Sequence, residues 1–173
     1  MQQTEAEQAF TEWVKYANLK LDFVTSGDAE IRVTFSQSEG SWSYIGTDAL
    51  AVSQVSATVN ISKINRRTLL HEFGHALGLI EEHQNPKATI AWNFPLLVQK
   101  LGGPPNYWTK AFIWKNVIGP VPELELGTYR PFDPTSIMTK NFDPKWTGGQ
   151  RLGDSTELSD SDKLLVARLY PRR

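Results

Sequence analysis

His71 and His75 stand four residues apart, with a glutamate directly after the first and a glycine three places after the second, in the run His71-Glu72-Phe73-Gly74-His75-Ala76-Leu77-Gly78. Residues at that spacing share one helix face, so two imidazoles are offered to a single metal ion. The requirement is strict: a helix through both histidines, a backbone break at Gly78, and a third donor from the residues that follow. The chain has no cysteine, which leaves imidazole and carboxylate as donors. Two candidates come next, Glu81 and His83, and an extended segment would point both to the same side. Two imidazoles and a third ligand leave one position open on tetrahedral Zn²⁺, where a water is acidified, and Glu72 stands beside them to take its proton.

The remaining composition narrows the partners. A net charge of −1 and a pI near 6.3 provide no basic field for nucleic acid, so none is expected. No apolar run approaches the roughly 20 residues a bilayer requires, and no membrane partner is expected. Met1 to Glu5 lacks the basic and apolar regions of a signal peptide. With 173 residues, one domain with a sizeable core is expected.

Along the chain, Ala6, Ala9, Phe10, Trp13, Val14 and Ala17 recur at helical spacing from Thr4 to Ala17, with Thr4 and Glu7 placed as a capping box. Residues 19–24, 31–35, 43–45 and 57–61 are short, β-branched or aromatic, and bounded by turn residues, which predicts strands of one sheet. The metal helix is expected to start at Asn65 as N-cap and to end at Gly78. Beyond it prolines recur at 86, 95, 104, 105, 120, 122, 131, 134 and 144, and strand patterns vanish. Helical pieces are expected near 94–101 and 106–118, and a last helix from Ser159, capped with Asp162, to Pro171.

The order of motifs resembles a metzincin metallopeptidase, closest in pattern to the astacin-like zinc peptidases of bacteria and fungi. Trp42-Ser43-Tyr44-Ile45-Gly46, the metal helix, Glu82-His83-Gln84-Asn85-Pro86, Ser136-Ile137-Met138 and the closing segment from Leu158 to Tyr170 follow in the family's sequence, over roughly the whole chain. The resemblance implies an α+β zincin fold: a twisted mixed sheet carrying the N-terminal helix and the active-site helix, and an irregular C-terminal subdomain with a final helix. It implies one catalytic domain over 1–173, with an N-terminal subdomain of about 1–80 and a C-terminal one of about 81–173. It further implies a secreted, monomeric zinc endopeptidase acting on peptides or proteins, with Zn²⁺ held by His71, His75 and Glu81 and with Glu72 as general base toward the metal-activated water. Met138 takes the Met-turn position, Asn141 to Trp146 the wall of the pocket after the scissile bond, and Trp42 to Gly46 an edge strand for extended peptide. His83 is expected beside the donors or facing substrate, and Glu82 as a structural carboxylate. The aromatics of 106–108 and 112–114 are expected mainly as packing anchors.

Two letters depart from the family's pattern. Glu81 replaces the usual third histidine, which lowers the formal charge of the site by one unit and weakens acidification of water. Lys140 replaces a tyrosine two residues after the Met-turn methionine, where it is placed to donate to the oxyanion of the scissile carbonyl. The alternative expectation is a catalytically impaired scaffold, peptide-binding or metal-poor and natural or engineered, in which Glu81 and Lys140 pair with each other.

Overall fold

The computed structural model describes residues 2–121 and 131–172, so Met1 and Pro122 lie outside the described residues. The chain divides into two compact units, Met1–Ile80 with Ser155–Arg173, and Glu81–Asp154.

In the first unit the N-terminal helix α1 (Gln2–Val14) buries Ala6, Ala9, Phe10 and Trp13, the stripe its periodicity predicts. It begins two residues before Thr4, which places Thr4 inside the helix rather than at its cap. The metal helix α2 (Arg66–Ala76) begins as expected, with the Asn65 side chain accepting from Thr68 N–H. Phe10 stacks on Phe73 with ring centroids 4.1 Å apart, and Trp13 Nε1 donates to the Leu70 carbonyl at 3.0 Å. These contacts lock α2 against α1 through its apolar side, leaving the histidine side for chemistry.

Three short strands, β1 (Val33–Thr34), β2 (Trp42–Ser43) and β3 (Val59–Asn60), form a mixed sheet in the order β1-β3-β2. Val33 pairs in parallel with Val59, and Trp42 pairs antiparallel with Asn60. Three of the four expected strands are therefore present, each shorter than its apolar run. The fourth, 19–24, is irregular: Phe23 and Val24 are exposed there and no strand partners them. The Asn60 side chain explains part of the shortening, since it bonds Ser36 N–H and the Ser36 and Gly40 carbonyls in place of further ladder. The final helix α5 (Asp160–Leu169) starts at the predicted capping box, with Ser159 and Asp162 each bonding the other's backbone N–H.

The second unit is built around Leu97, Ile113, Val117, Phe142 and Leu152. Helix α3 (Phe94–Leu101) lies at the predicted place. The helix expected over 106–118 starts late, because the Thr109 side chain caps α4 (Lys110–Ile113) by accepting from Phe112 N–H, and the chain then widens into a π-turn over Trp114–Ile118. Of the aromatics assigned to packing, Tyr107, Phe112 and Trp114 are exposed while Ile113 is fully buried. The segment anchors the unit through Ile113 and Val117, with Trp108 partly buried against the same core.

Candidate metal centre

Helix α2 buries every residue from Leu69 to Ala76, including His71, Glu72 and His75. The two imidazoles lie edge to face with ring centroids 4.7 Å apart, the outcome of their i,i+4 spacing. His75 Nδ1 lies 2.8 Å from the Leu79 carbonyl oxygen. A carbonyl only accepts, so Nδ1 carries the proton and Nε2 keeps the lone pair a metal needs.

That bond exists because the helix turns at the right place. Leu77 caps α2, and Gly78 follows at φ +96°, a left-handed conformation that brings the Leu79 carbonyl back toward His75. Gly46, itself at φ +53°, lies against this turn so closely that a Cβ on it would sit 3.1 Å from Gly78 Cα. Tyr170, just beyond α5, donates its hydroxyl to the Leu77 carbonyl at 3.0 Å, and burial pushes its phenol pKa up, keeping the donor protonated. Neither contact is legible in the sequence. The positive φ at Gly46 leaves only a glycine in the letters, and a tyrosine at a helix end carries no mark of its partner 93 residues away.

Glu81 follows two residues after Leu79. One donor atom from each of His71, His75 and Glu81 lies within 4.8 Å of the others, and His83 is not part of that group. Two imidazoles and a carboxylate drawn this close suit Zn²⁺, which takes such N and O donors at about 2.0–2.2 Å. The next residue is held firmly: Glu82 N–H donates to the Met138 carbonyl at 2.9 Å, and Glu82 Oε1 accepts from Asp133 N–H at 2.9 Å and Asn85 Nδ2 at 3.2 Å. Glu82 is thus the buried structural carboxylate expected. Met138 sits fully buried in a tight turn, with its N–H on Ser136 Oγ at 3.0 Å and Thr139 N–H on the Ser136 carbonyl at 3.1 Å.

A model of the astacin family of peptidases matches residues 1–89. A solved structure of myroilysin shares 36% identity over 99% of this chain and 87% of its own, with a TM-score of 0.90. The chain belongs to the astacin family. A second myroilysin structure matches at 36% identity and TM-score 0.74, covering 99% of this chain and 78% of the other. High choriolytic enzyme 1, a hatching-enzyme zinc-protease of the medaka fish Oryzias latipes, shares the fold at 17% identity and TM-score 0.64, over 99% and 84% of the two chains. No curated protein sequence matches. As an astacin-family member the chain is a zinc metalloendopeptidase, and its substrates are peptides or proteins. No described helix is long and apolar enough to cross a membrane.

Against this family background the two departing residues meet. Lys140 Nζ donates to Glu81 Oε1 at 2.7 Å, and His83 Nδ1 lies 3.4 Å from Glu81 Oε2. The ring of His83 is buried edge-on against Phe142, at 4.8 Å, and Trp92, at 6.2 Å. It therefore faces the second unit's core and the Glu81 carboxylate. Within the expected pocket wall, Phe142 is likewise a core residue that bridges to Leu152, whereas Asn141, Asp143, Pro144 and Lys145 are exposed.

Proposed function

We propose that this astacin-family protein cuts peptide bonds with His71, His75 and Glu81 holding zinc and Glu72 acting as general base. The observation that carries the reading is the buried helix α2 itself, which sets His71, Glu72 and His75 side by side and fixes the His75 tautomer through Leu79, with a Glu81 donor within 4.8 Å. Zinc, when bound, acidifies water and polarises the scissile carbonyl. Glu72 accepts the proton of the attacking water and delivers it to the departing amine, so a single carboxyl serves as base and then as acid. Strand β2 lies at the edge of the sheet, and its outer backbone groups, flanked by exposed Tyr44 and Ile45, suit an extended peptide. The exposed residues Asn141, Asp143, Pro144 and Lys145 wall the pocket for the residue after the cut. The protein works as a secreted monomer.

The test is Glu72→Gln, which keeps the shape and removes the base. Casein hydrolysis should fall by about 10² to 10⁴ while zinc content stays at one per chain. Full activity in this variant refutes the role of Glu72.

A second reading is a peptide-capturing scaffold with impaired catalysis, favoured by one observation, the 2.7 Å ion pair of Lys140 with Glu81. It predicts purified protein without stoichiometric zinc and without chelator-sensitive casein cleavage. Elemental analysis and one assay separate the two.

A further inference from the structure

We propose that Lys140 is a positioning residue for the third zinc donor: it pins the Glu81 carboxylate in a metal-accepting orientation. The inference rests on Glu81 being a zinc ligand, as argued above, and concerns how this chain makes that substitution work.

A histidine in the third position is stiff, with two side-chain torsions and a tautomer fixed by one hydrogen bond. Glutamate has three torsions and loses more rotamer freedom when held. Something must supply the missing rigidity. Lys140 Nζ donates to Oε1 at 2.7 Å, the length of a charge-assisted bond, while Oε2 lies toward His83 Nδ1 at 3.4 Å. A carboxylate offers about four lone-pair positions on its two oxygens, so a bond to lysine leaves room for a metal. Glu81 is largely covered, its side chain 15% exposed, and Glu82 beside it is tied to the Met138 carbonyl, Asp133 N–H and Asn85. Backbone and carboxylate are thus both fixed.

Lys140 is itself placed by backbone packing. A Cβ on Gly153, which sits at φ +72°, would stand 2.5 Å from the Lys140 carbonyl oxygen, so only glycine lets the two segments approach. The Lys140 side chain is 58% exposed. Water therefore screens the repulsion between its ammonium and a metal ion, whereas the short bond that orients Glu81 is local and little screened. Orientation outweighs repulsion, and the pair supports metal binding instead of replacing it.

The experiment is zinc affinity by competition with a chromogenic chelator, measured on the whole chain for wild type, K140M, K140R, E81Q, E81H and E81H/K140M. Loss of an outer partner of a ligating carboxylate weakens metal binding about 10- to 100-fold, which is the change expected for K140M, with most of it recovered in K140R. E81Q should weaken binding at least as much. In the E81H background, K140M should have little effect, because lysine acts only through the carboxylate. A merely structural role for Lys140 would instead give the same loss in both backgrounds and overturn the proposal. Unchanged or tighter zinc binding in K140M, with E81Q weakened, overturns it too and leaves Glu81 as ligand. Unchanged binding in E81Q removes the ligand assignment and the proposal together.

Discussion

Helix α2 and the residues Glu81 and Lys140 carry the proposed metal chemistry, but they are held by different means. On α2 the functional groups are fixed by regular backbone: two histidines at i,i+4, an N-cap at Asn65 and a burial stripe against Phe10 and Trp13. Glu81 instead precedes a single 3₁₀ turn, Glu82–Gln84, closed by Gln84 N–H on the Glu81 carbonyl at 3.1 Å. Its position depends on single hydrogen bonds, Glu82 to Met138 and Asp133, and Lys140 to Glu81. A helix distributes its stability over many repeated bonds, so each contact matters modestly. An irregular site concentrates it, and each contact matters a great deal.

That contrast can be broken by mutation. Glu82→Ala should be the most damaging change outside the proposed catalytic groups, since it strips a buried acceptor from Asp133 N–H and Asn85. A loss of about 2–4 kcal/mol is expected, visible as a melting temperature lowered by roughly 5–15 °C. If the loss is under about 0.5 kcal/mol, the irregular stretch is not held as described. Gly78→Ala probes the helix end, where a side chain at φ +96° is strained by about 1–2 kcal/mol. Zinc binding should weaken with it, because the Leu79 carbonyl no longer reaches His75; an unstrained alanine variant would show that the turn is tolerant.

The smallest effect belongs to the surface of α2. Arg66 and Glu157 approach to 2.5 Å, and the hydrogen bond from Arg66 holds the Glu157 carboxyl below the usual carboxylate range. A carboxyl lowered on folding adds stability that is present above its unfolded pKa and lost as pH falls through the lower folded one. Both groups are well exposed, so the difference between wild type and Glu157→Gln should be about 0.5 kcal/mol at neutral pH and vanish in acid. Urea unfolding at the two pH values measures it. A difference that grows in acid would reverse the assignment.

The same contrast decides what is legible in the letters. Helices α2, α3 and α5 and the caps at Asn65 and Ser159 are local facts, written in spacing and side-chain type, and they stand where expected, while α1 has the expected buried stripe but spans Gln2–Val14 in place of 4–17. The sheet is smaller than its apolar runs suggest. The runs at 19–24 and 31–35 look alike in sequence, but a strand needs a partner, and only the second finds one, at Val59 and Asn60. The His71, His75 and Glu81 group is readable because three donors lie within eleven residues of chain. Tyr170 on Leu77, Gly46 on Gly78 and Gly153 on Lys140 are not, because each joins residues far apart in sequence through backbone atoms that all residues share. Nor does spacing show that the His83 ring packs edge-on against Trp92 and Phe142.

In the proposed site a carboxylate, Glu81, completes the zinc coordination of this astacin-family chain. Anomalous diffraction at the zinc edge from the zinc-loaded protein tests it most directly. One zinc ion per chain is expected, with His71 and His75 nitrogens and a Glu81 oxygen at about 2.0–2.2 Å. Zinc held by the histidines with Glu81 turned wholly onto Lys140, or no zinc at this position, would contradict it.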